Sequence, residues 1–130
     1  MKFAKVVFLC AGIWGVLVLT PLYFMFDFIG RQNPPAITHP DFYYGFAGVA
    51  LAFQVAFLII ATDPARYRPV MIPAVLEKIS YFTALFILHL QGRLPRTQLP
   101  FGVVDLLFGI LFLIAFVKTR TANSTAAAGD

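Results

Sequence analysis

Charge is scarce in this chain: lysine, arginine, aspartate and glutamate make up 12% of its 130 residues, against 60% apolar residues. That leaves too few polar side chains to coat a water-soluble domain of this size, so the bilayer is the expected solvent. Cysteine occurs once, at Cys10, which excludes an intrachain disulfide, a two-cysteine redox centre and cysteine-rich metal sites. Cys10 is expected to be buried filler. Histidine occurs twice, and His39 lies in a loop beside Pro40, so a pair of axial haem ligands on facing helices is not supported. A metal site built from His89, Asp27 and Asp105 has suitable ligand chemistry but no local spacing such as His-x-x-x-His. There is no phosphate-binding glycine loop, no Gly-x-Ser-x-Gly element and no basic, aromatic-rich soluble surface. Phosphate-cradle chemistry, nucleophile-elbow hydrolysis and nucleic-acid binding therefore have no support, and neither a cofactor nor a resident metal is expected.

What the chain does have is four apolar stretches, about 6–26, 42–62, 70–90 and 99–117. Each is close to the ~20 residues that cross ~30 Å of hydrocarbon as a helix. Strand-type alternation is absent, and helices satisfy their own backbone hydrogen bonds in lipid. The expected fold is an all-α integral membrane four-helix bundle forming one domain over residues 1–120, with a small, polar, disordered tail at 121–130. Lys2 and Lys5 before an apolar run also describe a secretory signal, but the run continues past Leu19 to Phe26 without a small-x-small cleavage site. It is read as the first span.

Basic residues set the expected orientation. Lys2, Lys5, Arg66, Arg68, Lys118 and Arg120 fall on one side, and Arg31, Arg93 and Arg96 on the other. Both termini are thus expected in the cytoplasm, in a bacterial inner membrane. The first outer connection, Asp27 to Asp41, carries Asn33-Pro34-Pro35 and His39-Pro40, which favour an extended, turn-rich path, and Phe42, Tyr43 and Tyr44 follow as an interface anchor. Asp63-Pro64 has the form of an N-cap followed by a proline, consistent with one short turn at the inner interface, where Arg66 and Arg68 meet anionic headgroups.

Small residues at four- and seven-residue spacing mark candidate packing faces: Ala11 and Gly15, Gly48 with Ala52 and Ala56, and Gly102 with Gly109. The Gly48 stripe fits either one bundle or an interface between copies of a homo-oligomer. Pro21 and Pro73 are expected to kink or widen the bundle.

Three charges fall inside apolar segments, Glu77 and Lys78 in the third and Asp105 in the fourth, and these are the strongest pointers to function. Were the third helix to begin only at Ile79, the pair would sit at the interface. Ile79 to Leu90 would then span only ~18 Å, too short to cross. Neighbours on a helix point ~100° apart, so Glu77 and Lys78 are not expected to form a simple mutual pair. Two alternatives stand for this pair: Lys78 only snorkels to the interface, the first expectation, or Glu77 lines a functional cavity. Asp105, between Gly102 and Gly109, is expected to face the bundle. Gln54 in mid-span is expected as interhelical glue, while Asp27, His89 and Asp105 lie toward the outer half, at a level where three helices can converge.

The overall plan, with Asp63-Pro64-Ala65-Arg66-Tyr67-Arg68-Pro69 and Val75-Leu76-Glu77-Lys78, resembles small four-helix bacterial membrane proteins of the DoxX-like kind. Phe53-Gln54-x-x-Phe57-x-x-Ile60-Ala61-Thr62, followed by Arg68-Pro69 and preceded by Asp27, is similar to the EXPERA family of sterol isomerases and the sigma-2 receptor. That resemblance implies four or five helices around an apolar cavity in which acidic residues read a sterol or amine. Only Asp27 and Gln54 carry over, because the family's second acid, one turn before the glutamine, is Ala50 here.

Three functions remain open on these residues. The first is a non-enzymatic membrane protein, either an accessory subunit of a membrane complex or a binder of an apolar, lipid-like ligand, with Asp27, Gln54, Glu77, Lys78, His89 and Asp105 as candidate ligand-binding residues. The second is a membrane-embedded lipid or sterol isomerase-like enzyme in which Glu77 or Asp105 transfers a proton. The third is a small proton-coupled transporter using Glu77.

Overall fold

In a computed structural model, described here for residues 2–129 and for side chains as far as Arg120, the chain is helical and, among the described residues, contains no strand. Helix α1 (Lys2–Leu19) runs into a 3-10 segment (Thr20–Phe24), and a short helix α2 (Phe26–Gln32) follows. Then come α3 (Pro40–Thr62), α4 (Met71–Leu90) and α5 (Leu99–Gly129), the last two each preceded by one 3-10 turn. Four helical stretches, Lys2–Phe24, Pro40–Thr62, Arg68–Leu90 and Arg96–Arg120, are long and apolar enough to cross a membrane. Their outward faces agree with that solvent: Leu17 is 67% exposed, Leu76 61% and Val117 58%. In water such a continuous apolar surface would drive association.

Local chemistry explains the boundaries. Pro21 lacks the N–H that α1 would need, so α1 stops at Leu19 and the chain tightens into the 3-10 segment. Pro73 produces no mid-span kink, because it falls in the first turn of α4, where N–H groups have no partner within the helix anyway. Part of the first connection, expected to be extended, is instead α2. Its Gly30 is buried, and helix formation there satisfies the backbone between Phe26 and Gln32. The second connection closes as a short turn, with Arg66 N–H donating to Asp63 Oδ1 at 3.3 Å and Tyr67 N–H to the Asp63 carbonyl at 3.1 Å. Helix α5 continues through residues 121–129. Four of those residues are alanines, the best intrinsic helix formers.

The helices associate in pairs. α1 packs along α3 and α4 along α5; α1 and α5 join the two pairs, while α3 and α4 touch only sparsely. Three contacts mark the antiparallel α4–α5 register. Leu85 packs on Gly102, Lys78 on Gly109, and Met71 meets Thr119, whose Oγ1 lies 3.9 Å from the Met71 sulfur. Ala11 and Gly15 are buried on α1, as their spacing implies. On α3 the packing face differs from the expected Gly48–Ala52–Ala56 stripe. Ala47, Ala50, Gln54, Phe57 and Ile60 are buried and Ala52 is exposed, because α3 turns its larger Phe57 and Ile60 inward. Cys10 is likewise exposed rather than buried, on the outward face of α1.

The core is one-sided. Its buried members come from the beginnings of α1 and α4 and from the far ends of α3 and α5, at the end of the bundle where Lys118 Nζ sits 4.4 Å above the Phe3 ring. Phe8, Phe57 and Phe112 are fully buried there; Phe8 stacks on Phe112 at 4.2 Å and Phe57 meets Phe112 edge-on at 4.9 Å. Three aromatic rings from three helices make a dense plug. The opposite half of the bundle contains a cavity.

Candidate functional site

That cavity, about 60 Å³, is lined by all four long helices and carries Gln54 from α3, Glu77, Lys78 and Tyr81 from α4, and Asp105 from α5. The Lys78 ammonium lies 5.3 Å from the Phe57 ring centre and 5.9 Å from that of Phe108, within the range where a ring face attracts a cation.

Lys78 organises the charges. It is 3% exposed, and its Nζ donates to Asp105 Oδ1 at 3.2 Å while lying 3.7 Å from Glu77 Oε2. The expected snorkelling does not occur, nor does the expected separation of Glu77 from Lys78. Gly109 is the reason α5 comes close enough: a Cβ there would stand 3.3 Å from Lys78 Cβ. With the helices that near, the ammonium reaches a carboxylate across the interface at less cost than leaving Asp105 unpaired in the bundle. Glu77 and Lys78 diverge at their Cα atoms, but the long lysine side chain bends back to meet the acid.

Gln54 is held differently. Its Nε2 donates to the Ala50 carbonyl at 2.8 Å, one turn earlier on the same helix, so its orientation is set by an acceptor that only the amide nitrogen can satisfy. Oε1 therefore points toward α1, where a Cβ on Gly15 would overlap the glutamine amide. Gln54 is 1% exposed, and Oε1 has no hydrogen-bond partner; among the described residues, the one other buried side-chain oxygen in that condition is Glu77 Oε2.

Glu77 belongs to more than one space. Beside the inner cavity, it lines a recess of about 430 Å³ between α3 and α4, with Phe46, Val49, Phe53, Ser80 and Tyr81. The recess exists because α3 and α4 barely touch.

Of the six residues the sequence singles out, the structure brings four to one cavity: Gln54, Glu77, Lys78 and Asp105. Asp27, in the first turn of α2, and His89, in the last turn of α4, are both exposed and line none of it. The outer convergence of Asp27, His89 and Asp105 does not form, because Asp105 turns toward Lys78. No cluster of three or more metal-binding side chains occurs among the described residues. Tyr81 is the polar contributor that sequence reasoning missed, and Gly15, read there as a packing residue, also lines the cavity. The available signal for Tyr81 was its place one turn after Glu77.

Compared with family models, curated proteins and solved structures, the chain matches none. The reading of the site therefore rests on its geometry.

Proposed function

We propose that this protein binds an apolar, lipid-like ligand that enters sideways from the bilayer between α3 and α4, with its polar end at the Glu77–Lys78–Asp105 cluster. One observation carries the reading: Glu77, together with Phe46, Ala50 and Tyr81, lines both the inner cavity and the apolar recess between those helices, so the recess adjoins the buried charge cluster. Apolar walls with a few convergent polar groups are the usual make-up of a small-molecule site. Charges kept inside a membrane bundle are costly, which favours a functional reason for their presence. Binding requires no reaction of them.

The same reading places both termini on the cytoplasmic side of a bacterial inner membrane. Four crossings bring the two ends to one side, and the six basic residues at that end outnumber the three at the other.

Native mass spectrometry of protein extracted gently from its own membranes tests the proposal, with Val49→Trp as the comparison. Val49 is 63% exposed on the groove wall, so an indole there obstructs the gap without entering the core. A lipid-sized adduct on the wild type that disappears in the variant is the expected result. Stoichiometric co-purification of another polypeptide, with no small adduct, would replace the binder by an accessory subunit.

A further inference from the structure

We infer that the ligand of this groove carries a neutral hydroxyl head, the chemistry that two buried oxygens accepting no hydrogen bond and the neighbouring ammonium select together. This rests on the binding role proposed above and names the ligand's class.

Both orphan groups are acceptors. Gln54 Oε1 and Glu77 Oε2 are buried with no hydrogen-bond donor, and both residues line the inner cavity. The 3.7 Å from Glu77 Oε2 to Lys78 Nζ is an ion pair, too long for a hydrogen bond. A buried acceptor without a donor costs about 1–3 kcal/mol, so an occupant that donates a proton recovers that energy and one that only accepts does not. Carboxylate and phosphate heads are acceptors alone at neutral pH. They would also bring negative charge to a cluster already holding two carboxylates and one ammonium.

An alkylammonium head donates hydrogen bonds, yet here it meets Lys78. That ammonium is already shared between Asp105 at 3.2 Å and Glu77 at 3.7 Å, and its side chain is 4% exposed. The two carboxylates attract a second cation, but at Glu77 it would compete with Lys78 for them at close range in a medium that screens poorly. A hydroxyl has neither fault: it donates to one orphan oxygen and carries no charge. It also keeps lone pairs with which to accept from Lys78 or from the Tyr81 hydroxyl on the same wall. The space suits it, because about 60 Å³ next to the cluster takes a small head while the larger recess takes the chain.

The test uses three amphiphiles with one tail, oleyl alcohol, oleylamine and oleate, added in equal amounts to the delipidated full chain and read by native mass spectrometry at neutral pH. Oleyl alcohol is expected to be retained about tenfold more than either competitor, the equivalent of one well-satisfied buried hydrogen bond. Gln54→Leu, which removes one acceptor at similar volume, should reduce that preference several-fold. Retention of oleate or oleylamine equal to the alcohol, abolished by Val49→Trp, overturns the hydroxyl assignment and leaves the groove reading standing. Retention of none of the three, or retention that Val49→Trp does not change, overturns both.

Discussion

Lys78 and Asp105 form an ion pair of 3.2 Å across the α4–α5 interface, with Lys78 buried and Glu77 3.7 Å away on its other side. The pair sits where α5 has a glycine one turn further on, so the same small residue that lets the helices approach brings the charges within reach. Removing one member leaves its partner's charge in the bundle interior.

Asp105→Ala should therefore lower stability by about 3–5 kcal/mol, since the Lys78 ammonium keeps only the more distant Glu77. The triple variant Glu77→Gln, Lys78→Met and Asp105→Leu should recover most of that loss, because no charge is then left in the bundle interior to compensate. Unfolding of the purified variants in mixed micelles measures both. Equal stability of Asp105→Ala and wild type would show that the ion pair contributes nothing.

Gly15 is required by Gln54 rather than by the α1 backbone. A methyl at position 15 would overlap the glutamine amide, so Gly15→Ala is expected to cost about 1–3 kcal/mol and to push Gln54 off its bond to the Ala50 carbonyl. Adding Gln54→Ala to Gly15→Ala should restore part of the loss, an interaction that a thermodynamic cycle of the four proteins reads directly. Strictly additive costs would argue that the two residues do not meet.

The aromatic plug should dominate the stability of the sealed half. Phe112 is fully buried between Phe8 and Phe57, and Phe112→Ala is expected to cost about 3–5 kcal/mol by lost contact and by the void it leaves. Phe101→Ala, on the exposed rim of the cavity, should cost far less. Comparable midpoints for the two variants in the same unfolding assay would contradict the one-sided core.

At the turn between α3 and α4, Arg68 Nε donates to the Phe116 carbonyl at 3.0 Å, and its guanidinium lies 3.7 Å from the centre of the Phe116 ring. Arg68→Lys keeps the charge but loses the planar stack, with an expected cost of about 1 kcal/mol. Arg66→Lys, exposed at the neighbouring position, should be close to neutral and serves as the control.

Reporter fusions check the orientation. Fusions at Lys118 and in the Asp63–Arg68 turn should report the cytoplasm, and fusions between Asn33 and His39 or at Arg93 the opposite side. A cytoplasmic signal from the Arg93 site would reverse the assignment.

Four long apolar runs, their ends and the class of solvent were legible in the sequence, because hydropathy and span length are sums over neighbouring residues and do not depend on what packs where. The anomaly of three charges inside those runs was legible for the same reason. Its resolution was not. Whether Lys78 reaches outward to the interface or inward to Asp105 depends on how α4 is rotated and how near α5 lies, and both are set by contacts between residues 27 positions apart. The same holds for α3, where Gly48, Ala52 and Ala56 had the right spacing but the rotation of the helix buried Ala47, Ala50 and Gln54 instead. Asp27 and His89 carried plausible chemistry at a plausible depth, yet only the lateral arrangement of the helices decided that neither joins the cavity. The gap between α3 and α4 has no local signature at all, being the place where two helix pairs fail to meet. Sequence alone thus determined what crosses the membrane, since each span satisfies its own backbone there; the tertiary structure decided what faces what, since side chains find partners only through the packing of helices distant in the chain.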